Sequence, residues 1–191
     1  MLDQKFWEKI LNEQNDFTIS RRKIIARSSN AQHLAKQAIF ALQRDDIKKA
    51  EADLKDSEKL LKDLEVDFAK NKKLRNEGSW KAGLEEFIEA KLFFDFYTGK
   101  PIAGIKTLKI GPEEYIGGLC DTTGEILRSM IIWTTKNEIE KVKHGGEIIS
   151  QIIAELIKYS HAGYLRTKFD QAKKSLQKSE SILYDLSIRD K

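Results

Sequence analysis

Two pairs of acidic residues stand where the surrounding sequence is apolar. Glu86 and Glu89 are three apart in a stretch that also holds Leu84, Phe87, Ile88, Leu92, Phe93, Phe94, Phe96 and Tyr97. On a helix that spacing puts both carboxylates on one face of an element whose other sides belong in a core. Asp121 and Glu125 are four apart, with Arg128 nearly in line, among Tyr115, Leu119, Ile126, Leu127, Met130, Ile131 and Trp133. Like charges at either spacing repel, and burying a carboxylate without a partner is costly. A divalent cation shared between the pairs would offset both penalties, and an all-oxygen donor set suits Mg²⁺ or Mn²⁺ better than zinc. Bridges to lysines or arginines on neighbouring helices, or projection into solvent, would also relieve them. A di-iron site would want Glu-x-x-His, and Glu86-Phe-Ile-Glu89 has no histidine, which counts against a ferritin-like bundle. Gly117, Gly118 and Gly124 lie inside the second acidic helix. Each weakens it relative to alanine, so they imply close approach of another helix or room for a ligand.

A second chemical feature is an absence. Between Phe17 and Arg44 there is no Asp or Glu, yet Arg21, Arg22, Lys23, Arg27, Lys36 and Arg44 fall there. On an ideal helix Arg22, Ser29, His33, Lys36 and Arg44 gather in an arc of about 80°, beside an apolar face of Ile24, Ala31, Ala35, Ile39 and Leu42. A strip of cations and hydroxyls with no acid to neutralise it suits a phosphate backbone. A basic helix bridging to the acid-rich segment that follows would give the same composition. Cys120 neighbours Asp121, but oxygen-ligand chemistry gives a thiol no task, so packing is its expected role.

The elements that must position these groups read as helices throughout. The predicted order is a short amphipathic helix over 3–14 and a longer one over 20–44, entered through Thr18 or Ser20 as N-cap. A third follows over 46–76, with Ile47, Ala50, Leu54, Ser57, Leu61, Leu64 and Phe68 forming one seam. The next spans 81–97, and the glycines at 99, 104 and 111 mark the one long irregular stretch. Pro112, followed by Glu113 and Glu114, opens the helix that carries Asp121 and Glu125. Gly145 and Gly146 are expected to separate it from an apolar helix over 147–161, and Gly163 precedes a last one over 164–187. His144 and His161, at the ends of the apolar helix, read as capping or surface residues. The expectation is one all-α domain over 1–191, a bundle of six or seven helices.

Composition bounds the remaining possibilities. The 191 residues are 40% hydrophobic and 34% charged, with a net charge of +4 and two prolines. That apolar share excludes a disordered chain, and two prolines argue against a loop-rich β fold. A single cysteine excludes a disulfide framework and a thiolate zinc cluster and fits a reducing, cytoplasmic setting. No apolar run is long enough to span a membrane, and the start does not read as a secretory signal. Nine phenylalanines and three tryptophans in a slim helical chain exceed what one bundle needs, which suggests burial between subunits.

Two stretches carry a family resemblance: Leu84-Glu85-Glu86-Phe87-Ile88-Glu89-Ala90 and Gly118-Leu119-Cys120-Asp121-Thr122-Thr123-Gly124-Glu125-Ile126-Leu127-Arg128. They resemble the signature stretches of the translin family, most closely in its catalytic, translin-associated factor X type. Residues 35–44 are similar to that family's first long helix, and Tyr184-Asp185-Leu186-Ser187-Ile188-Arg189 to the translin C-terminus. The resemblance implies a helical bundle that assembles into a hollow, octamer-like homo-oligomeric shell enclosing RNA. It implies an Mg²⁺- or Mn²⁺-dependent endoribonuclease in which Glu86, Glu89, Asp121 and Glu125 are the catalytic and metal-binding carboxylates. Arg22, Arg27, His33, Lys36, Arg44 and Arg128 would hold RNA, single-stranded or nicked duplex, or single-stranded DNA. Thr122 stands where the family often has leucine, and Asp95 where histidine can occur; neither removes a carboxylate. The alternative is a non-catalytic RNA- and DNA-binding scaffold, in which the same acids are structural.

Overall fold

The computed structural model describes residues 2–189; Met1, Asp190 and Lys191 of the expected 1–191 domain lie outside the described residues. Six α-helices and one 3₁₀ turn, with no strand, make up the regular structure of the described residues. They are α1 (Gln4–Leu42), α2 (Ile47–Lys70), the 3₁₀ turn Lys72–Asn76, α3 (Gly78–Tyr97), α4 (Pro112–Thr135), α5 (Ile139–Leu156) and α6 (Gly163–Arg189). Helices α3 and α4 pack on each other at the centre; α1 and α2 cover α3, while α5 and α6 cover α4.

The periodicities expected from the sequence build this arrangement. Ile24, Ala31, Ala35, Ile39 and Leu42 are all buried along α1. The α2 seam is buried from Ala50 to Phe68, and only Ile47 at its start is exposed. Ser57 belongs to that seam because its buried hydroxyl donates to the Ala31 carbonyl at 2.8 Å. Leu84, Phe87, Ile88, Leu92, Phe93, Phe94 and Phe96 bury α3 on most sides, as their number requires. Helix α4 lies directly on α3 because residue 118 has no side chain. A Cβ there would stand 2.7 Å from Ile88 Cγ2 and 3.0 Å from the Glu85 carbonyl oxygen.

Three boundaries differ from the sequence expectation, each for a local reason. The first two expected helices are one 39-residue helix. Thr18 does not cap a new start; its hydroxyl donates back to the Gln14 carbonyl at 2.9 Å and so stays satisfied within α1. The expected 46–76 helix ends at Lys70, and the Asn71 side chain accepts from the Lys73 amide to begin the 3₁₀ turn. Gly145 and Gly146 sit inside α5 rather than before it. Side chains there would run into Met130 on α4 and Leu183 on α6, so both glycines serve close helix packing.

In the apolar 147–161 segment Ile149, Ile152, Ile153 and Leu156 are buried within the bundle, while Ile157 is exposed. Exposed apolar residues are densest at the start of the chain, at Leu2 and along the first half of α1, where Phe6, Trp7, Ile10, Leu11 and Ile19 are exposed. His161 does cap α5: its Nε2 lies 2.7 Å from the Leu156 carbonyl, and its ring packs on Phe169. His144 lies within α5, with its ring stacked on Phe96.

Candidate acidic site and basic strip

Four helices meet around the acids. Helix α3 contributes Glu86 and Glu89, α4 contributes Asp121 and Glu125, and side chains from α1 and α6 reach in. Glu86 Oε2 lies 3.5 Å from Lys36 Nζ and accepts from Gln32 Nε2 at 3.4 Å, both on α1. Gln43, at the end of α1, donates to Glu125. From α6, Lys168 contacts Asp121 and lies 2.8 Å from Glu85. Among the described residues the Glu89 carboxyl has no hydrogen-bond or ion-pair partner.

Electrostatics tie the four carboxyls into one group. Burial, then repulsion from Asp121, Glu86 and Glu125, pushes Glu89 up to about 9. Burial also raises Glu86, with Lys36 and Gln32 opposing the shift and Asp121 adding to it. It raises Asp121, where Lys168 opposes, and Glu125, where Arg128 and Gln43 oppose while Glu86 and Asp121 add. Burial alone would lower the Lys168 ammonium, but Asp121, Glu85 and Tyr164 together outweigh it and hold the charge on. The Cys120 thiol, 3% exposed, is pushed up to about 12 by burial and then by Asp121, so it packs and does not react.

Among the described residues no three Asp, Glu, His or Cys side chains are gathered tightly enough to hold a metal ion as they stand. The carboxylates are instead spread toward Lys36, Gln43 and Lys168. Their chemistry nevertheless suits a hard cation: four oxygen donors, mutually repelling, with the central one unpartnered. Thr122, the departure from the family pattern, is buried and returns its hydroxyl to the Gly118 carbonyl at 2.7 Å. Asp95 accepts from Lys91 on its own helix.

Space exists beside the acids. At Gly124, about 60° round α4 from Asp121 on the side away from Glu125, nothing lies within 4 Å of the place a Cβ would take. Gly124→Ala should therefore add stability, up to about 1 kcal/mol, by removing glycine's helix penalty without a clash. Urea denaturation of the two proteins measures this directly.

The basic strip divides into neutralised and free parts. Arg21 bridges to Glu77 at 2.6 Å, and Lys23 and Arg27 to Asp67 of α2 at 3.1 Å and 3.7 Å. Lys36 faces Glu86. Arg22, His33 and Arg44 are exposed, with no acidic partner among the described residues, and His33 contacts Gln37. Arg44 lies past the end of α1, in the turn before α2, so the helical arc does not fix its direction. Arg128 is exposed on α4, its guanidinium 5.2 Å from the Phe40 ring centre. Both features inferred from the missing acids are thus present: Lys23 and Arg27 bridge to α2, while Arg22 and Arg44 keep unneutralised charges.

Sequence reasoning missed Gln32, Gln43 and Lys168. The first two carry a faint signal, since Gln32, Lys36 and Gln43 fall within an arc of about 40° on α1, a polar line beside its apolar face. Lys168 carries none, being one of 34 basic residues and 47 positions from Asp121.

Solved structures share this fold. The crystal structure of apo-NeC3PO matches with a TM-score of 0.86 at 22% identity, covering 96% of this chain and 97% of that one. The crystal structure of AfC3PO matches at 0.89 with 16% identity, and the structure of an AfC3PO–duplex RNA complex at 0.85 with 16% identity; each covers 96% of this chain and 97% of the other. No curated protein matches the sequence. The profile of the Translin family matches residues 6–190, nearly the whole chain, and the chain belongs to the translin family.

Proposed function

We propose that the chain is a metal-dependent endoribonuclease of the translin-associated factor X type, working as a homo-oligomeric shell around RNA. The observation that carries this reading is Glu89, a half-buried carboxyl with no hydrogen-bond or ion-pair partner among the described residues, repelled by three other carboxyls on α3 and α4. A purely structural site gains nothing from such a group, whereas a cation held by Glu89 and Asp121, with Glu86 and Glu125 completing the shell, would relieve it. Bound there, Mg²⁺ or Mn²⁺ would acidify an attacking water and neutralise charge building on the phosphodiester. Glu86 or Glu125 would take the water's proton, each within the same carboxyl group of four. Arg22, Arg44 and Arg128 would hold phosphates, with Lys36 between them and the acids. The RNA in the AfC3PO complex supports RNA as the ligand, and phosphate-dominated contacts imply broad sequence tolerance. The exposed apolar residues on the first half of α1 support self-association.

The expected result is that purified protein cuts single-stranded RNA with Mg²⁺ or Mn²⁺, and that EDTA or Asp121→Ala stops it. Cleavage unchanged in the Asp121 variant would place the activity elsewhere.

A second reading has its own support: Lys36, Gln43 and Lys168 already engage three of the four acids, as in a nucleic-acid-binding scaffold with a structural polar network. A scaffold should show no Mg²⁺-linked rise in Tm beyond the effect of ionic strength. The enzyme should show one that saturates.

A further inference from the structure

Lys168, in the second turn of α6, reaches between α3 and α4 to two carboxylates at once. Its Nζ is 2.8 Å from Glu85 Oε1 and also contacts Asp121 Oδ2, and its side chain is only 17% exposed. The ammonium stands 5.3 Å from the centre of the Tyr164 ring, and the Tyr164 hydroxyl donates to the same Glu85 oxygen. Glu85 fits between the helices because residue 117 is glycine; a Cβ there would stand 2.8 Å from Glu85 Cδ. Glu85 is not one of the four candidate ligands. It and Tyr164 form a separate seat for the ammonium, adjacent to Asp121 but independent of it.

We propose that Lys168 is a positioning residue that stands in for a divalent cation at Asp121. Without an ion, its ammonium bridges Asp121 and Glu85. When an ion binds, the ammonium withdraws onto Glu85 and the Tyr164 ring and releases Asp121. This rests on the metal-dependent reading above. The physical reason is charge balance: a half-buried Asp121 beside other carboxyls needs a positive partner in both states, and two cations cannot share its oxygens without strong repulsion. Lys168 therefore keeps the metal-free site folded and Asp121 aimed, at the expense of metal affinity. A lysine suits this better than an arginine because a compact point charge on a flexible stem can shift between two seats.

The test is Mn²⁺ binding to the full-length protein, followed by the loss of free-ion EPR signal, with Tm recorded at each concentration. Lys168→Met and Lys168→Gln should bind Mn²⁺ about tenfold tighter than the parent or better. Both should melt lower in EDTA, and the gap should narrow once Mn²⁺ saturates the site. Lys168→Arg should restore affinity toward the parent value, and Glu89→Gln should lose binding. A lysine with only a structural role would lower Tm in both conditions and leave affinity alone. Equal or weaker Mn²⁺ binding by both neutral variants, with Glu89→Gln still deficient, would overturn the role of Lys168 while leaving the metal site standing. Absence of Mn²⁺ binding by the parent, or unchanged binding by Glu89→Gln, would overturn both.

Discussion

Glu89→Gln should stabilise the metal-free protein at pH 8 while abolishing RNA cleavage. A glutamate in an unfolded chain titrates near 4.3, whereas in the folded protein burial and three neighbouring carboxyls push Glu89 up to about 9. Between those values the folded state holds a proton that the unfolded state has released. Stability therefore falls as pH rises through the window, from a full contribution below about pH 4.3 to none above about 9. Glutamine keeps the shape, carries no charge in either state and escapes the decline. The variant and its parent should match at pH 4, then diverge, with the variant ahead by about 1–3 kcal/mol at pH 8. Urea denaturation in EDTA at pH 4, 6 and 8 measures this. Parallel curves would mean that the carboxyl is solvated or already paired. Saturating Mg²⁺ should reverse the order at pH 8, since binding stabilises only a protein that retains its ligand.

That pairing of effects, gained stability and lost activity from one isosteric change, separates a functional carboxylate from a structural one. Glu86, Asp121 and Glu125 each have a donor in reach, so neutralising any of them also weakens a contact made by Lys36, Lys168 or Gln43. Their substitution would lower stability and activity together and would not discriminate between the readings. Glu89 has no such partner. Repulsion from Asp121, Glu86 and Glu125 and the cost of burial outweigh its one attraction, to Lys168, and selection for folding alone would remove it.

The acids were legible in the sequence because they interrupt an apolar pattern. On α3 and α4 the hydrophobic residues fix which sides are buried, so carboxylates at Glu86, Glu89, Asp121 and Glu125 stand out against them. The core of α2 was legible for the same reason, its seam being regular from Ala50 to Phe68. What failed was local punctuation read without its neighbours. Thr18 has the chemistry of an N-cap, but its hydroxyl is equally satisfied one turn back inside a continuous helix. Gly145 and Gly146 have the chemistry of a break, yet Met130 and Leu183 need the space they leave. Lys168 was illegible because nothing local marks it, and Gln43 had only its place on a polar line of α1, which names no partner. Their partners lie 47 and 82 positions away, and only the packing of α6 onto α4, and of α1 onto α3 beside α4, brings them together.

Replacing Arg22, Arg44 and Arg128 together by glutamine should weaken RNA binding by tenfold or more, about equally for all sequences. None of the three has an acidic partner within bridging distance among the described residues, so each carries a charge available to a phosphate. Removing three phosphate contacts on a single strand should reduce the slope of log affinity against log salt by about 2. The contrast is Arg27→Gln. That guanidinium already faces Asp67 at 3.7 Å, so its loss removes less charge from the RNA and should leave the slope nearly unchanged. Filter binding of labelled oligonucleotides across a salt series, with EDTA present to prevent cleavage, measures both effects. A triple variant with the parent's slope would mean that RNA follows another face. Weakened binding with that same slope would point to lost contacts of another kind, because only released counterions connect affinity to salt in this way.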